Sequence, residues 1–126
     1  TEEEKKELEG KSAVAEKIAA ALGDKVKKVI PSMRLGDASA SVIMDENDPS
    51  LEMQRLMKQM GGPEEDIKPI LEINPSSAFV KKIEDADEEK AKILSEVLLG
   101  QALLQEGIMP SDPVAFALNL RKAMEA

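Results

Sequence analysis

The 126-residue chain contains no cysteine, histidine, tryptophan or tyrosine, and only two phenylalanines. Each absence removes a class of chemistry. Without cysteine there is no disulfide framework and no thiolate metal site, and the chain suits a reducing cytoplasm, the compartment expected here. Without histidine the commonest general base, the commonest metal ligand and every Ser-His or Cys-His nucleophile are gone. The remaining residues show no Gly-rich phosphate loop and no carboxylate pair with a supporting base. No catalytic, cofactor-binding or metal site is therefore expected in this chain. With so few rings, the core has to be built from Leu, Ile, Val, Ala and Met. No apolar run approaches the roughly 18 to 20 residues that span a bilayer. No signal peptide is visible, and no membrane partner is expected.

Positive charge is also in short supply. Seventeen Lys and Arg face 25 Asp and Glu, for a net charge of -8 and a pI near 4.7. Phosphate backbones need clustered cations, so nucleic acid is not an expected partner. At 42% hydrophobic and 33% charged the chain is globular, and its length suits one domain. It opens at Thr1 without Met, as expected of a piece of a longer protein. Residues 1–10 read as a charged linker from a preceding domain, with the folded unit expected over 11–126.

Residues 11–22, KSAVAEKIAAAL, place Val14, Ile18, Ala21 and Leu22 at helical spacing, with Gly23 as the stop. Residues 25–35 turn to β character, and Pro31 marks that strand as an edge or a bend. Gly36-Asp37 reads as a turn, Ala40–Met44 as a second strand, and the two as a hairpin. The polar stretch Asp45–Ser50 resembles a calcium loop only in its alternating Asp45 and Asn47. Pro49 stands at the next ligand position and the turn glycine is missing, so it serves better as the acidic start of a helix.

That helix, Leu51–Met60, sets Met53, Leu56, Met57 and Met60 on one face at i, i+3, i+4, i+7. It is either an ordinary amphipathic helix docked on the core or an exposed adhesive surface. Thioether side chains are flexible and polarisable enough for the second role. Gly61-Gly62-Pro63 ends it, and Pro63–Ile67 reads as a loop. Lys68–Ile73 is a third strand, and Asn74-Pro75 the expected N-cap and first turn of the next helix. Asp85–Glu89 places carboxylates at the start of the long helix that follows, where the helix dipole favours them. The fold class is α+β: a small three-stranded sheet with helices.

The last third, Asp87–Met124, is two helices joined at Gly107, the second opened by Ser111-Asp112-Pro113. Advancing about 100° per residue, Ala91, Leu94, Leu98 and Ala102 join Ile93, Val97 and Leu104 on a core face. Leu99 and Leu103 fall outside it, on the side that carries Lys92 and Glu96. In the final helix Phe116, Ala117, Leu120, Ala123 and Met124 form one face, and Val114 and Leu118 lie beyond. Each helix has more apolar surface than one contact can bury, which calls for a second copy of the chain.

Several strings along the chain, in this order and spacing, resemble the C-terminal domain of the heat-shock protein 90 chaperones in their bacterial form. Leu22-Gly23-Asp24-Lys25-Val26-Lys27 is similar to that family's LG-(E/D)-x-V-K run. Arg34-Leu35 with Asp37 resembles its R-L-T-D turn, although Ala38-Ser39-Ala40 follows without the usual proline. Leu71-Glu72-Ile73-Asn74-Pro75 resembles its E-I-N-P string. Leu98-Leu99 with Gln101-Ala102-Leu103-Leu104 resembles its L-L-x-x-A-L-L segment, and Asp112-Pro113 with Phe116 its D-P-x-x-F. No acidic E-E-V-D string is present, which by the resemblance points to the bacterial type.

The resemblance implies an ATP-dependent chaperone of the stress response that binds unfolded or partly folded client proteins. It implies that ATP and Mg belong to another domain of the full-length protein, and that this piece alone is not an enzyme. It implies a C-terminal dimerisation domain over 11–126, whose last two helices form a four-helix bundle with a second protomer. Interface residues are then expected at Leu98, Leu99, Ala102, Leu103, Phe116, Leu118 and Leu120. Client contact is expected at Met53, Leu56, Met57 and Met60. The alternative is a stand-alone peptide- or protein-binding adaptor without a chaperone role.

Overall fold

The computed structural model describes residues 13–32, 38–44, 49–61, 68–110 and 112–125. The charged run 1–10, the Gly36-Asp37 turn, the Arg34-Leu35 string, residues 45–48 and the segment 62–67 lie outside the described residues. Helix α1 covers 13–22 and passes into a single 3-10 turn, Gly23–Lys25. Then come β1 (Lys28–Pro31), β2 (Ala40–Ile43), α2 (Leu51–Gln59), β3 (Ile70–Ile73), α3 (Ala78–Asp85), α4 (Glu88–Gln105) and α5 (Pro113–Glu125). This is the α+β fold with a three-stranded sheet that the sequence implies.

The sheet is not the expected hairpin. Its order is β1-β3-β2, with β1 parallel and β2 antiparallel to the central β3. The reason lies in side-chain content. A central strand is covered on both faces and reads as a nearly continuous apolar run. Ile70, Leu71 and Ile73 satisfy that, and all three are buried. Pro31 confines β1 to an edge, as its missing N–H requires. Cross-strand rows Val29–Leu71–Val42 and Pro31–Ile73–Ala40 share one face. That face meets the core, which is completed by Val14, Ile18 and Leu22 of α1, Val80 and Ile83 of α3, and Leu94 and Leu98 of α4.

The helix ends follow backbone bookkeeping. Ser77, not Asn74, caps α3: its Oγ accepts from the Phe79 N–H at 3.3 Å. Asn74 instead folds the preceding turn, its Oδ1 accepting from the Ser76 N–H at 3.0 Å. Its amide also donates to the Ala38 carbonyl at 3.1 Å, which fastens the turn to the start of β2. Asn-Pro is therefore a turn signal here, and the helix begins one turn later. Asp87 caps α4 by accepting from the Lys90 N–H at 2.8 Å.

At the other end of α4, Gly107 takes a φ of 76°. Its N–H bonds the Leu104 carbonyl at 2.9 Å, and the Ile108 N–H bonds that of Leu103 at 2.9 Å, the paired closure of a Schellman motif. Lys17 of α1 donates to the backbone carbonyls of Glu84 (2.9 Å) and Ala86. A cation there satisfies carbonyls that α3 cannot bond internally.

One core group is unmatched. Ser95 of α4 is fully buried and its Oγ has no hydrogen-bond partner. An unpaired buried hydroxyl costs roughly 1–3 kcal/mol. Ser95→Ala is therefore expected to stabilise the fold by about 1 kcal/mol. Urea unfolding would show a higher midpoint at unchanged slope.

Candidate interaction surface

Helix α4 is covered almost all round. Val97, Leu98, Leu99 and Gly100 are consecutive and all buried, and together they span a whole turn. Strand β2, α3 and α5 all pack on α4, and α5 makes the most extensive of these contacts. The surface expected to be surplus on α4 is thus used within the chain. Glu96, Leu99, Gly100 and Leu103 face Phe116 and Asn119 of α5 across a shared groove.

Two local features set that contact. The first is Gly100. A Cβ there would overlap Cε2 and Cδ2 of the Phe116 ring, so the glycine is where the ring rests on the α4 backbone. The second is Glu96. Its Oε2 accepts from the Asn119 amide at 2.7 Å, and its Oε1 pairs with the Lys25 ammonium. One carboxylate therefore ties α5 and the turn after α1 to the same point of α4. The start of α5 is closed by Asp112, whose carboxylate accepts from the Ala115 N–H at 3.0 Å, with Pro113 as first helical residue.

The α5 side that meets α4 is Phe116, Asn119 and Ala123, each partly buried. Ala117 and Met124, expected on that side, are exposed. The helix is rotated from its apolar optimum because Asn119 is drawn inward to Glu96. No residue of α5 is buried. Val114 is 73% exposed and Met124 78%, and Leu118 and Leu120 are also open. Leu104 and Met109, near the α4–α5 turn, extend the exposed apolar surface.

The expected interface residues divide accordingly. Leu98 (2% exposed) and Ala102 (0%) have no surface left for a partner and belong to the intradomain core. Leu99 is buried in the same core, and Leu103 is half-buried against it. Phe116 is taken by Gly100. Leu118 and Leu120 remain open. The core face that the wheel gave α4, with Ala91, Leu94, Val97, Leu98 and Ala102, is buried as expected, and Leu99 and Leu103 outside it face α5 of the same chain. Glu96, Asn119 and Gly100 were not among the expected site residues. Their signal was a carboxylate and a glycine inside an apolar helix and an amide inside the next.

The second apolar surface is α2. Ser50 caps it, its Oγ accepting from the Met53 N–H at 3.2 Å, and Gln54 donates to the Pro49 carbonyl at 2.9 Å. Met53, Leu56 and Met60 are exposed and Met57 is half-buried. Among the described residues no group of three or more acidic side chains converges on a metal position. Among them, too, no helix is long and apolar enough to cross a membrane.

The whole chain, residues 1–126, matches the family model described as Hsp90 protein. Chaperone protein HtpG of Treponema denticola is 45% identical over 98% of this chain and 20% of its own length. The proteins of the same name from Pseudoalteromonas translucida and Chromobacterium violaceum are 44% and 41% identical, each over 98% of this chain. The chain spans about 20% of the length of the curated relatives it matches.

Gly100→Ala tests the ring contact. Alanine favours the helix by about 1 kcal/mol over glycine, but the added methyl displaces Phe116. The half-exposed ring gives way before the core does. The expected outcome is a global stability within about 1 kcal/mol of the parent and a loss of hydrogen-exchange protection confined to α5.

Proposed function

The chain belongs to the Hsp90 family, and on that premise we propose that it is the homodimerisation domain of an ATP-dependent molecular chaperone acting in the cytoplasm. The observation that carries the reading is α5, a largely apolar helix with no buried residue. One side of it is spent on α4. The other presents Val114, Leu118 and Met124, with Leu120 on the flank. A two-fold axis beside this face would lay each α5 against the partner's α4–α5 pair, and four helices would close into a bundle. The interface residues are then Leu118 and Leu120 with Val114 and Met124, and Leu103 at the margin.

The role is mechanical. Joining two long protomers at one end raises the effective concentration of their remaining domains, to about the millimolar range for short tethers. Nucleotide chemistry belongs to parts of the longer protein outside this chain. The exposed Met53, Leu56 and Met60 of α2, with the half-buried Met57, are the client contact. A methionine face can refit to dissimilar sequences, which suits unfolded or partly folded proteins.

Val114→Ser combined with Leu118→Ser removes apolar area on both protomers. Full burial of each side chain is worth roughly 1.5–3 kcal/mol. Sedimentation should show the dimer dissociation constant rising by about a hundredfold or more, with the far-UV circular dichroism unchanged. A dimer as tight as the parent's would refute the assignment of this face. Leu98→Ser should instead unfold the chain. For the client surface, Met53→Asp with Met60→Asp should weaken binding of a permanently unfolded polypeptide about tenfold in fluorescence anisotropy, without altering dimerisation.

A further inference from the structure

The geometry points to Glu96 as the residue that sets the rotation of α5 and so decides whether the dimer face is presented. This rests on the reading of α5 as the dimer surface and adds the device that aims it. With no buried residue, α5 has no side chain locked in the core to define its angle about its own axis. Phe116 supplies a ring against a glycine, which sets how closely the two helices approach. Ala123 is small and only partly buried. The directional contact is the Asn119 amide on Glu96 Oε2 at 2.7 Å, partly shielded from solvent.

A rotation of α5 by one residue, about 100°, would carry Asn119 away from the carboxylate and turn Leu120 toward α4. It would then also turn Leu118 and Val114 out of the outward stripe. An apolar helix face can satisfy several such settings at similar energy. A polar group with a single acceptor cannot, which is the best-attested use of buried polar pairs. Glu96 is a positioning residue in this sense: it touches no partner and acts through α5. Its other oxygen is held by Lys25, which fixes the carboxylate from the side of the turn after α1. The Lys25 side chain is 52% exposed against 19% for Glu96. The ion pair therefore faces salt, and the Asn119 bond much less so.

The test is dimer affinity of the whole chain by sedimentation, with circular dichroism as the check on folding. Glu96→Ala and Asn119→Ala should each lower the fraction of correctly set α5 by up to about tenfold per protomer, and the dimer affinity by up to about a hundredfold. The double variant should be no worse than either single, because the two residues act as one unit. In a Lys25→Met background, where no ammonium competes for the single amide oxygen, Glu96→Gln should recover most of the loss, since that oxygen still accepts from Asn119. A merely packed side chain would not show that rescue. Asn119→Ala, on a helix with no buried residue, keeps the test independent of the core. A dimeric parent with unchanged affinity in Glu96→Ala and Asn119→Ala would overturn this inference alone, and so would a Glu96→Gln no better than Glu96→Ala in the Lys25→Met background. A parent that stays monomeric at high micromolar concentration would overturn the dimer reading together with it.

Discussion

Phe116 rests its ring on the bare backbone of Gly100, and the arrangement of the C-terminal third depends on that contact. Helix α4 carries apolar side chains around most of its circumference, interrupted by Lys92, Glu96 and Gln101. Strand β2 and α3 pack on part of it, and α5 has to come close enough to exclude water from Leu99 and Leu103. A side chain at position 100 would hold that helix away, and glycine lets the ring in. The cost of glycine in a helix interior, about 1 kcal/mol, is offset by the cover that α5 provides. The exchange is one-sided. Helix α4 buries most of its apolar side chains but leaves Leu104 open, while α5 spends one face and keeps the other open to solvent.

Polar contacts do the orienting that apolar packing leaves loose. Lys17 joins α1 to the end of α3, Asn74 fastens the turn before α3 to the start of β2, and Glu96 joins α4 to both Lys25 and Asn119. Each such bond links elements distant in sequence. The two exposed apolar surfaces differ in kind. Helix α2 exposes Met53, Leu56 and Met60, flexible side chains on a short helix. Helix α5 exposes Val114, Leu118, Leu120 and Met124 on a helix anchored to α4.

Much of the element map was legible because it rests on local chemistry. Gly107 ends α4 through a positive φ that other residues resist, and Asp87 and Asp112 cap α4 and α5 with short side chains that reach back to the first free N–H groups. Pro31 confines β1 to an edge. Asn74 was misread because Asn-Pro opens a turn as readily as a helix, and Ser77 lay close enough to cap instead. The strand order was misread because adjacency in sequence was taken for adjacency in the sheet. The unbroken apolar run of β3 was the better guide to the centre.

By itself the sequence determined the kinds of element, their ends, the aliphatic core, the absence of histidine and cysteine chemistry, and the two helices with surplus apolar surface. It also carried the strings that resemble the chaperone family. Only the tertiary structure decided which surplus was real. Periodicity states how many apolar faces a helix has, but not how many neighbours will cover them. Leu98 and Ala102 on α4 turned into the core and Leu99 toward α5, because β2, α3 and α5 all pack on that helix. Leu118 and Val114 on α5 stayed open because the inward side of that helix carries Phe116, Ala123 and Asn119, the last bonded to Glu96. Those two residues lie 23 positions apart, and no local pattern pairs them.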